Sequence, residues 1–180
     1  NRMSIESPLG IELLIEETEA IQNVDEIAAV SDRIETLEFG SGDYSASVGI
    51  DHPSAKQDPD DTGDLWHYAR HRLLNAARSN GIAPIDGAYA NFKDLDGYRR
   101  ECEAAKRGGY VGKWAIHPEQ IQVAHDVFTP SQDDIDYAES VLRALAEGEK
   151  GEAGAVNFDG VMLHNAHRRH ANRRLALAAE

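Results

Sequence analysis

Residues 10–40, GIELLIEETEAIQNVDEIAAVSDRIETLEFG, carry the hydrophobic pattern of a strand, a helix and a second strand. The first strand is predicted over residues 10–16, which are mostly apolar and partly β-branched, and apolar residues then recur at helical spacing through Val30. Residues 33–40 repeat the strand pattern. A strand-helix-strand unit of this length predicts parallel strands joined by a right-handed crossover, and therefore an α/β fold.

The remainder of the chain repeats this unit and then becomes helical. The predicted elements are a helix over 65–80, a strand over 82–89, a helix over 93–107, a strand over 110–116, a short helix after His117-Pro118 and two helices after Thr129-Pro130, the last near 162–178. We therefore predict about four βα units within residues 1–128 and a helical extension over residues 129–180.

Composition narrows the class of protein. The 180 residues, 41% of them apolar, are enough for one modest core. The net charge of −14 disfavours binding to nucleic acid or to anionic lipid, and the low lysine content suggests adaptation to high salt. We see no leader peptide and no membrane segment, and we expect a cytoplasmic protein. The lone Cys102 excludes a disulfide within the chain and reads as an ordinary helix residue.

Two acids stand where the first two predicted strands end. Glu16 closes the first strand, and Asp43 follows the second within FGSGDYSAS, residues 39–47. Because parallel strands end at one edge of a sheet, both carboxylates are expected there, and Mg²⁺ commonly takes one or two carboxylates with substrate and water oxygens. Gly40 and Gly42 would let the backbone approach a ligand. A helix cap or a turn former is the alternative role for such acids.

Four segments resemble motifs of one protein family and occur in the same order as in that family: LLIEE at 13–17, FGSGDYSAS at 39–47, IDGAYANFKD at 85–94 and GKWAIHPEQI at 112–121. They are similar to the last four barrel strands of the HpcH/HpaI aldolase and citrate lyase beta-subunit family. The similarity is nearest to its malyl-CoA and β-methylmalyl-CoA lyases. The resemblance implies the carboxyl-terminal half of a TIM (β/α)8 barrel.

The resemblance also implies a chemistry. Glu16 and Asp43 match the positions that bind Mg²⁺ in the family, and the partners would be an acyl-CoA thioester and a 2-oxo acid, most simply glyoxylate. The activity would be the cleavage or formation of the carbon–carbon bond between them. Gly42, His117 and Pro118 match positions near the substrate. The family further implies a homo-oligomer, a trimer or a hexamer.

Two departures from the family pattern limit this interpretation. The four leading strands, with an arginine expected to bind the substrate carboxylate, are absent from these residues, so we expect the 180-residue chain alone to be inactive and prone to association. Near the carboxyl terminus, His164 follows Asp159-Gly160-Val161-Met162-Leu163 where the family has an acid that acts on a neighbouring subunit's site. His164 could transfer protons, or it could be a surface helical residue.

Several alternatives remain open at the level of sequence. Citramalyl-CoA or citryl-CoA could replace malyl-CoA as substrate, and a 2-keto-3-deoxy acid aldolase or a non-catalytic interaction subunit would use the same fold.

The polar segment 51–63 follows Asp43 and could serve as a lid. The basic stretch over residues 164–174 predicts either contact with a subunit or coenzyme, or a solvated face. Trp114 and Tyr89 are predicted to pack in the core.

Overall fold

The computed structural model describes residues 9–50, 65–150 and 156–179. The lid predicted over residues 51–63 lies outside these ranges. The chain divides into two compact units, Asn1–Phe128 and Thr129–Glu180.

The first unit is built on a parallel sheet. Its strands are β1 (Ile11–Ile15), β2 (Ile34–Phe39), β3 (Ala83–Asp86) and β4 (Gly112–Lys113), hydrogen-bonded in the order β1-β2-β3-β4. Each strand pairs in parallel with the next one along the chain. The carboxyl ends of all four strands therefore lie at one edge, as the α/β prediction requires.

Helices follow each strand of the first unit. They are α1 (Thr18–Gln22), α2 (Val24–Ala29), α3 (Ser41–Val48), α4 (His67–Ser79), α5 (Leu95–Gly108) and α6 (Pro118–Phe128). The main core joins the sheet to these helices, and its fully buried members include Leu37, Phe39, Leu73 and Ala77. Leu14 is 37% exposed, because alternate residues of a strand face opposite sides of the sheet and these helices cover only one side.

Three elements differ from the prediction. The single helix predicted after β1 is two short helices separated at Asn23, whose side-chain amide donates to the Glu19 carbonyl at 2.8 Å and competes with the helical pattern. Residues Ser41–Val48, for which no helix was predicted, form helix α3. The fourth strand has only two residues in its ladder, although the Trp114 backbone N–H still donates to the Asp86 carbonyl at 2.9 Å.

The second unit contains a hairpin that the sequence prediction missed. Its elements are α7 (Gln132–Lys150), β5 (Val156–Phe158), β6 (Val161–Leu163) and α8 (Asn165–Ala178). The antiparallel pair β5-β6 turns at Asp159 and Gly160, which have φ of 49° and 81°. An Asp-Gly pair with two positive φ angles is typical of tight hairpin turns, so the last helix begins at residue 165 rather than near 162.

The second unit has its own core. Buried residues of α7, β6 and α8 form it: Ala138, Val141, Leu145, Leu163 and Ala171. In the described part of the chain, no helix has both the length and the apolar composition to cross a membrane.

Candidate metal centre

Glu16 and Asp43 lie at the carboxyl ends of neighbouring strands. Glu16 directly follows β1 and is half-buried, whereas Asp43 is exposed in the first turn of α3. The backbone N–H of Gly40 donates to the carbonyl of Ile15 at 3.0 Å, which extends the pairing of β1 and β2 beyond the strands themselves. This bond keeps the two chain segments side by side where the two acids emerge.

Gly40 makes room for the Glu16 side chain. A β-carbon built at position 40 would overlap the Cβ of Glu16 and would lie 2.7 Å from its Oε2. Any larger residue at this position would therefore displace the carboxylate. Steric contact with Glu16 therefore explains why a glycine is needed at position 40, which the sequence pattern had singled out.

The two carboxyl groups interact with each other. Burial raises the pKa of Glu16 above its usual range, and Asp43 raises it further through its negative charge and through a hydrogen bond that only protonated Glu16 can donate. Two ionised carboxylates in this arrangement repel each other, and a bound cation would remove that repulsion. The pair therefore fits a hard divalent cation.

Among the residues that the structure describes, the candidate ligands are this pair of carboxylates. Within residues 9–50, 65–150 and 156–179, no cluster of three or more His, Cys, Asp or Glu side chains has a metal-binding arrangement. Two carboxylates with the remaining positions left to substrate and water suit Mg²⁺ better than Zn²⁺, which needs three or four protein ligands.

Hydroxyl groups fix the helix that carries Asp43. The backbone N–H of Thr18 donates to the Ser47 hydroxyl at 3.0 Å, and the two hydroxyls are 3.1 Å apart. On the same helix the Ser45 hydroxyl donates to the Ser41 carbonyl at 2.7 Å and accepts from the Trp66 indole N–H at 2.9 Å. The Thr18–Ser47 bonds tie α3 to the start of α1, two residues beyond Glu16, and the Trp66 bond ties it to the start of α4.

The predicted substrate residues lie at two places. Gly42 is exposed on α3 next to Asp43, and a β-carbon built there would meet no atom within 4 Å apart from the adjoining residues and the backbone of its own helix. His117 stacks on Phe92 with ring centroids 4.8 Å apart, and its Nδ1 accepts from the backbone N–H of Glu119 at 3.3 Å. Pro118 is the first residue of α6, a position that proline favours. Their substrate contacts stay a prediction.

His164 caps helix α8 in the second unit. Its Nδ1 accepts from the backbone N–H of Ala166 at 3.3 Å, and its own backbone N–H donates to Nδ1 of His167 at 3.2 Å. This reciprocal arrangement is a capping box made by two histidines. The side chain is exposed, and its role in proton transfer stays a prediction.

The two aromatic residues that were expected in the core behave differently. Tyr89 packs against Tyr98, with ring centroids 6.4 Å apart, and its hydroxyl donates to Asp94 at 2.9 Å. Burial and this hydrogen bond raise the pKa of Tyr89 to about 12. Trp114 is 38% exposed, so the prediction of core packing was wrong for it. The two-residue strand β4 ends just before Trp114, which leaves its ring outside the helix-covered layer.

Sequence analysis missed a group of four charges, of which Asp86 and Lys113 are buried and Arg70 and Glu101 are partly exposed. Asp86 ends β3 and binds Arg70 of α4 at 3.0 Å and Lys113 of β4 at 2.7 Å, while Lys113 also binds Glu101 of α5 at 2.8 Å. Burial lowers the pKa of Lys113, but Asp86 and Glu101 outweigh it and raise the pKa above its usual value. The sequence did carry a signal for this group, because Asp86 ends one strand and Lys113 ends the next, each within an otherwise apolar run.

Comparison with known proteins identifies the family. The family described as HpcH/HpaI aldolase/citrate lyase matches residues 4–118, which is more than half of the chain. The chain belongs to this family. The resemblance drawn from the four sequence segments is thus confirmed.

Two relatives illustrate the range of named activities. An L-malyl-CoA/beta-methylmalyl-CoA lyase from Cereibacter sphaeroides is 34% identical over 170 residues, covering 87% of this chain and 52% of the relative. A (3S)-malyl-CoA thioesterase from the same species is 41% identical over 105 residues, covering 58% of this chain and 37% of the relative. The chain spans about half the length of the curated lyases it matches.

A solved structure shows the same fold. The protein CitE from Mycobacterium tuberculosis, in complex with magnesium, acetoacetate and coenzyme A, superposes with a TM-score of 0.76 at 28% identity. The superposition covers 97% of this chain and 62% of that one. The predicted fold class, βα units of a TIM-type barrel, is confirmed.

Proposed function

We propose that this chain is the carboxyl-terminal half of a Mg²⁺-dependent acyl-CoA lyase, which cleaves or forms a carbon–carbon bond between an acyl-CoA and glyoxylate. The observation that carries the proposal is the placement of Glu16 directly after β1 and of Asp43 in the first turn after β2, at one edge of the parallel sheet, where the Gly40 N–H bond to the Ile15 carbonyl keeps the two segments side by side. Family membership and the named lyases among the relatives support the reaction class.

Glu16 and Asp43 would hold the cation. Bound Mg²⁺ supplies Lewis acid chemistry and orients a 2-oxo acid. Gly40 keeps the space around Glu16 free, and the surface at Gly42 is open, so a substrate carboxylate can approach the pair there. The bonds between Thr18 and Ser47 hold α3, and with it Asp43, relative to the end of β1.

Cleavage needs one base and one acid. The 3-hydroxyl group of the substrate loses its proton, the bond between C2 and C3 breaks, and its electron pair passes to the thioester as an enolate. Protonation of that enolate then yields the acyl-CoA, while the hydroxyl-bearing carbon becomes the carbonyl of the 2-oxo acid. We assign the proton transfer to His164 of a neighbouring subunit, supported by its exposed ring.

The helical extension is proposed to make subunit contacts in a homo-oligomer, a trimer or a hexamer. Helix α8 carries four arginines and no acid in a chain of net charge −14, which suits contact with an acidic surface or an anionic coenzyme. Arg168 pairs with Glu149 and Arg174 pairs with Asp134, whereas Arg169 and Arg173 are exposed. A cytoplasmic location belongs to the same proposal.

The proposal also concerns which acyl-CoA thioester is the substrate. Malyl-CoA and β-methylmalyl-CoA are the first substrates to test, with citramalyl-CoA and citryl-CoA as alternatives. They differ by small groups, and a methylene changes specificity by only about 1–3 kcal/mol. Thioester hydrolysis is a second candidate activity, because a malyl-CoA thioesterase is 41% identical to part of this chain.

The test combines the chain with a separately expressed amino-terminal half from a related barrel. Malyl-CoA and β-methylmalyl-CoA are supplied with and without Mg²⁺, at low and at molar salt, and glyoxylate and free CoA thiol are measured in parallel. Metal-dependent release of glyoxylate without free thiol is the expected result. Free thiol without glyoxylate would show a thioesterase instead.

Two further outcomes separate the remaining alternatives. An assembled complex that binds Mg²⁺ but converts neither thioester would favour a non-catalytic interaction subunit. Turnover of 2-keto-3-deoxy acids without competition by CoA thioesters would favour an aldolase. Replacing the chain by its Asp43→Ala variant in the same mixture is the matched control, and it should abolish turnover without preventing assembly.

A further inference from the structure

The ammonium group of Lys113 is held by three acceptors. Its Nζ donates to Asp86 Oδ2 at 2.7 Å, to the Gly87 carbonyl at 2.7 Å and to Glu101 Oε2 at 2.8 Å. The side chain is 2% exposed. A lysine has three N–H donors, so these partners occupy all of them, and the group is fixed in one position rather than available to a ligand.

The surrounding charges balance. Asp86 accepts from Arg70 through one carboxylate oxygen and from Lys113 through the other. Within the described residues, two cations and two acids thus form one network with a buried centre at Asp86 and Lys113, and it spans α4, β3, β4 and α5. A buried network of this kind is a weak source of net stability, but it specifies one arrangement of the elements that it joins.

The network extends to the end of β3 through Gly87. The carbonyl of Gly87 accepts a hydrogen bond from Lys113. The α-carbon of Gly87 packs against the carbonyl oxygen of Phe39 so closely that a β-carbon at position 87 would overlap this oxygen. Gly87 therefore connects Lys113 to the last residue of β2. Because both partners in the contact between Gly87 and Phe39 are backbone atoms, the two strand ends have little freedom to move relative to each other.

The next residue after Phe39 reaches the candidate metal centre. Gly40 packs against the Glu16 side chain and donates its N–H to the Ile15 carbonyl, and its own carbonyl accepts from Tyr44 N–H at 3.0 Å in the helix that carries Asp43. A continuous series of contacts thus leads from Lys113, through Gly87 and residues 39–40, to the Glu16 side chain and to the helix that carries Asp43.

We infer that Lys113 and Asp86 are positioning residues of the metal centre: they hold the end of β3 against the end of β2 and thereby fix the separation of Glu16 and Asp43. The inference rests on the proposed function, because it takes that pair as the cation site. Lys113 acts through Gly87 and is neither a ligand nor a catalytic residue.

The test uses the 180-residue chain and Mn²⁺, whose binding is read from the loss of the free-ion electron paramagnetic resonance signal. Lys113→Met should raise the Kd for Mn²⁺ about tenfold, the lower end of the range found when residues that support metal ligands are replaced. Amide hydrogen exchange should accelerate at Gly40 and Tyr44. Glu101→Gln is the matched control, since it alters the same network away from Gly87 and should leave both readouts unchanged.

A second variant keeps the test valid if Lys113→Met does not fold. Lys113→Met combined with Asp86→Asn removes one charge of each sign, and it should show the same loss of Mn²⁺ affinity and the same local exchange. Unchanged Kd and unchanged exchange at Gly40 in a folded variant would overturn the positioning role alone. Absence of Mn²⁺ binding by the unaltered chain would overturn the metal centre, and this inference with it.

Discussion

The α-carbon of Gly40 packs directly on the side chain of Glu16, so that a β-carbon at position 40 would overlap the Cβ of Glu16. Gly40 has φ of −87°, which any residue can adopt. Its requirement for glycine is therefore steric rather than conformational. The contact links the end of β2 to one of the two carboxylates and makes Gly40 a sensitive position for testing the site.

Gly40→Ala is expected to displace the Glu16 carboxylate and to weaken Mn²⁺ binding by about tenfold or more. The matched control is Gly42→Ala on the adjacent helix, where the new methyl group meets no atom within 4 Å apart from the adjoining residues and the backbone of its own helix. Gly42→Ala should leave Mn²⁺ affinity unchanged and stabilise the chain by about 0.5–1 kcal/mol, since glycine is unfavourable in a helix.

Both variants are compared by Mn²⁺ titration and by thermal unfolding. Equal Mn²⁺ affinity of Gly40→Ala and the unaltered chain would contradict the steric account of Gly40. In an assembled enzyme, Gly42→Ala should also weaken binding of the 2-oxo acid if the open surface at Gly42 receives the substrate, which a KM measurement would show.

Glu38 gives a prediction about pH. The residue is 4% exposed, and burial together with the Glu12 charge raises its pKa, against the opposing hydrogen bond from Thr36. An acid with a raised pKa in the folded state destabilises that state when it is ionised. Glu38→Gln should therefore raise Tm at pH 7, and the difference should shrink as the pH falls through the pKa of folded Glu38.

The measurement is Tm at pH 7 and at about pH 4, near the ordinary pKa of glutamate. A gain of about 1 kcal/mol would shift Tm by about 2–4 °C for a chain of this size. Glu35→Gln, which removes an exposed acid from the same strand, is the control and should show no such gain. A lower Tm for Glu38→Gln at pH 7 would contradict the prediction.

Asp94 gives the opposite pH dependence. It caps α5 by accepting from Gly97 N–H at 2.8 Å, and this bond, with that from Tyr89, lowers its pKa. The stabilisation is present when Asp94 is ionised and is lost as the pH falls through its lowered pKa. Asp94→Ala should reduce Tm at pH 7, and the difference from the unaltered chain should close in acid.

Asp96→Ala is the control for Asp94, because Asp96 is an exposed acid in the same first helical turn. Removing it changes the charge near the helix terminus without removing the cap. A loss of Tm for Asp96→Ala equal to that for Asp94→Ala would show that charge alone, rather than the hydrogen bond, accounts for the effect.

Cys102 is expected to be unreactive in the folded chain. The thiol is fully buried on α5, and burial raises its pKa despite the nearby Lys113 charge. An aromatic disulfide reagent should label it only after unfolding, whereas the added thiol of Ser79→Cys, on the exposed end of α4, should react at once. Rapid labelling of one thiol in the folded, unaltered chain would contradict the burial of Cys102.

Much of this fold could be predicted from residues 10–40, because apolar runs mark β1 and β2 and the alternation of strands with helices predicts that the strands are parallel. The same reasoning placed Glu16 and Asp43 at one edge. The helix around Asp43 was not predicted, since Gly40 and Gly42 favour a loop in any local scale. Tertiary contacts, including the Thr18–Ser47 bonds, support that helix instead.

The charged network could not be read from local pattern. Asp86 and Lys113 are 27 residues apart, and the register of β3 and β4 brings them together. Periodicity reports which face of an element is apolar, but it does not report which buried charges meet across two strands. The hairpin turn at Asp159 and Gly160 did carry a recognisable Asp-Gly signal, which the expectation of a helix from residue 162 overlooked.

The most direct test of the central claim is Mn²⁺ binding by the 180-residue chain and its Glu16→Gln and Asp43→Asn variants, with Asp32→Asn, an exposed acid elsewhere, as the control. The unaltered chain and Asp32→Asn should bind one Mn²⁺ that Mg²⁺ displaces, and both site variants should lose that binding while keeping their folded structure. Retention of full affinity in either folded site variant would contradict the assignment of Glu16 and Asp43 as the metal ligands.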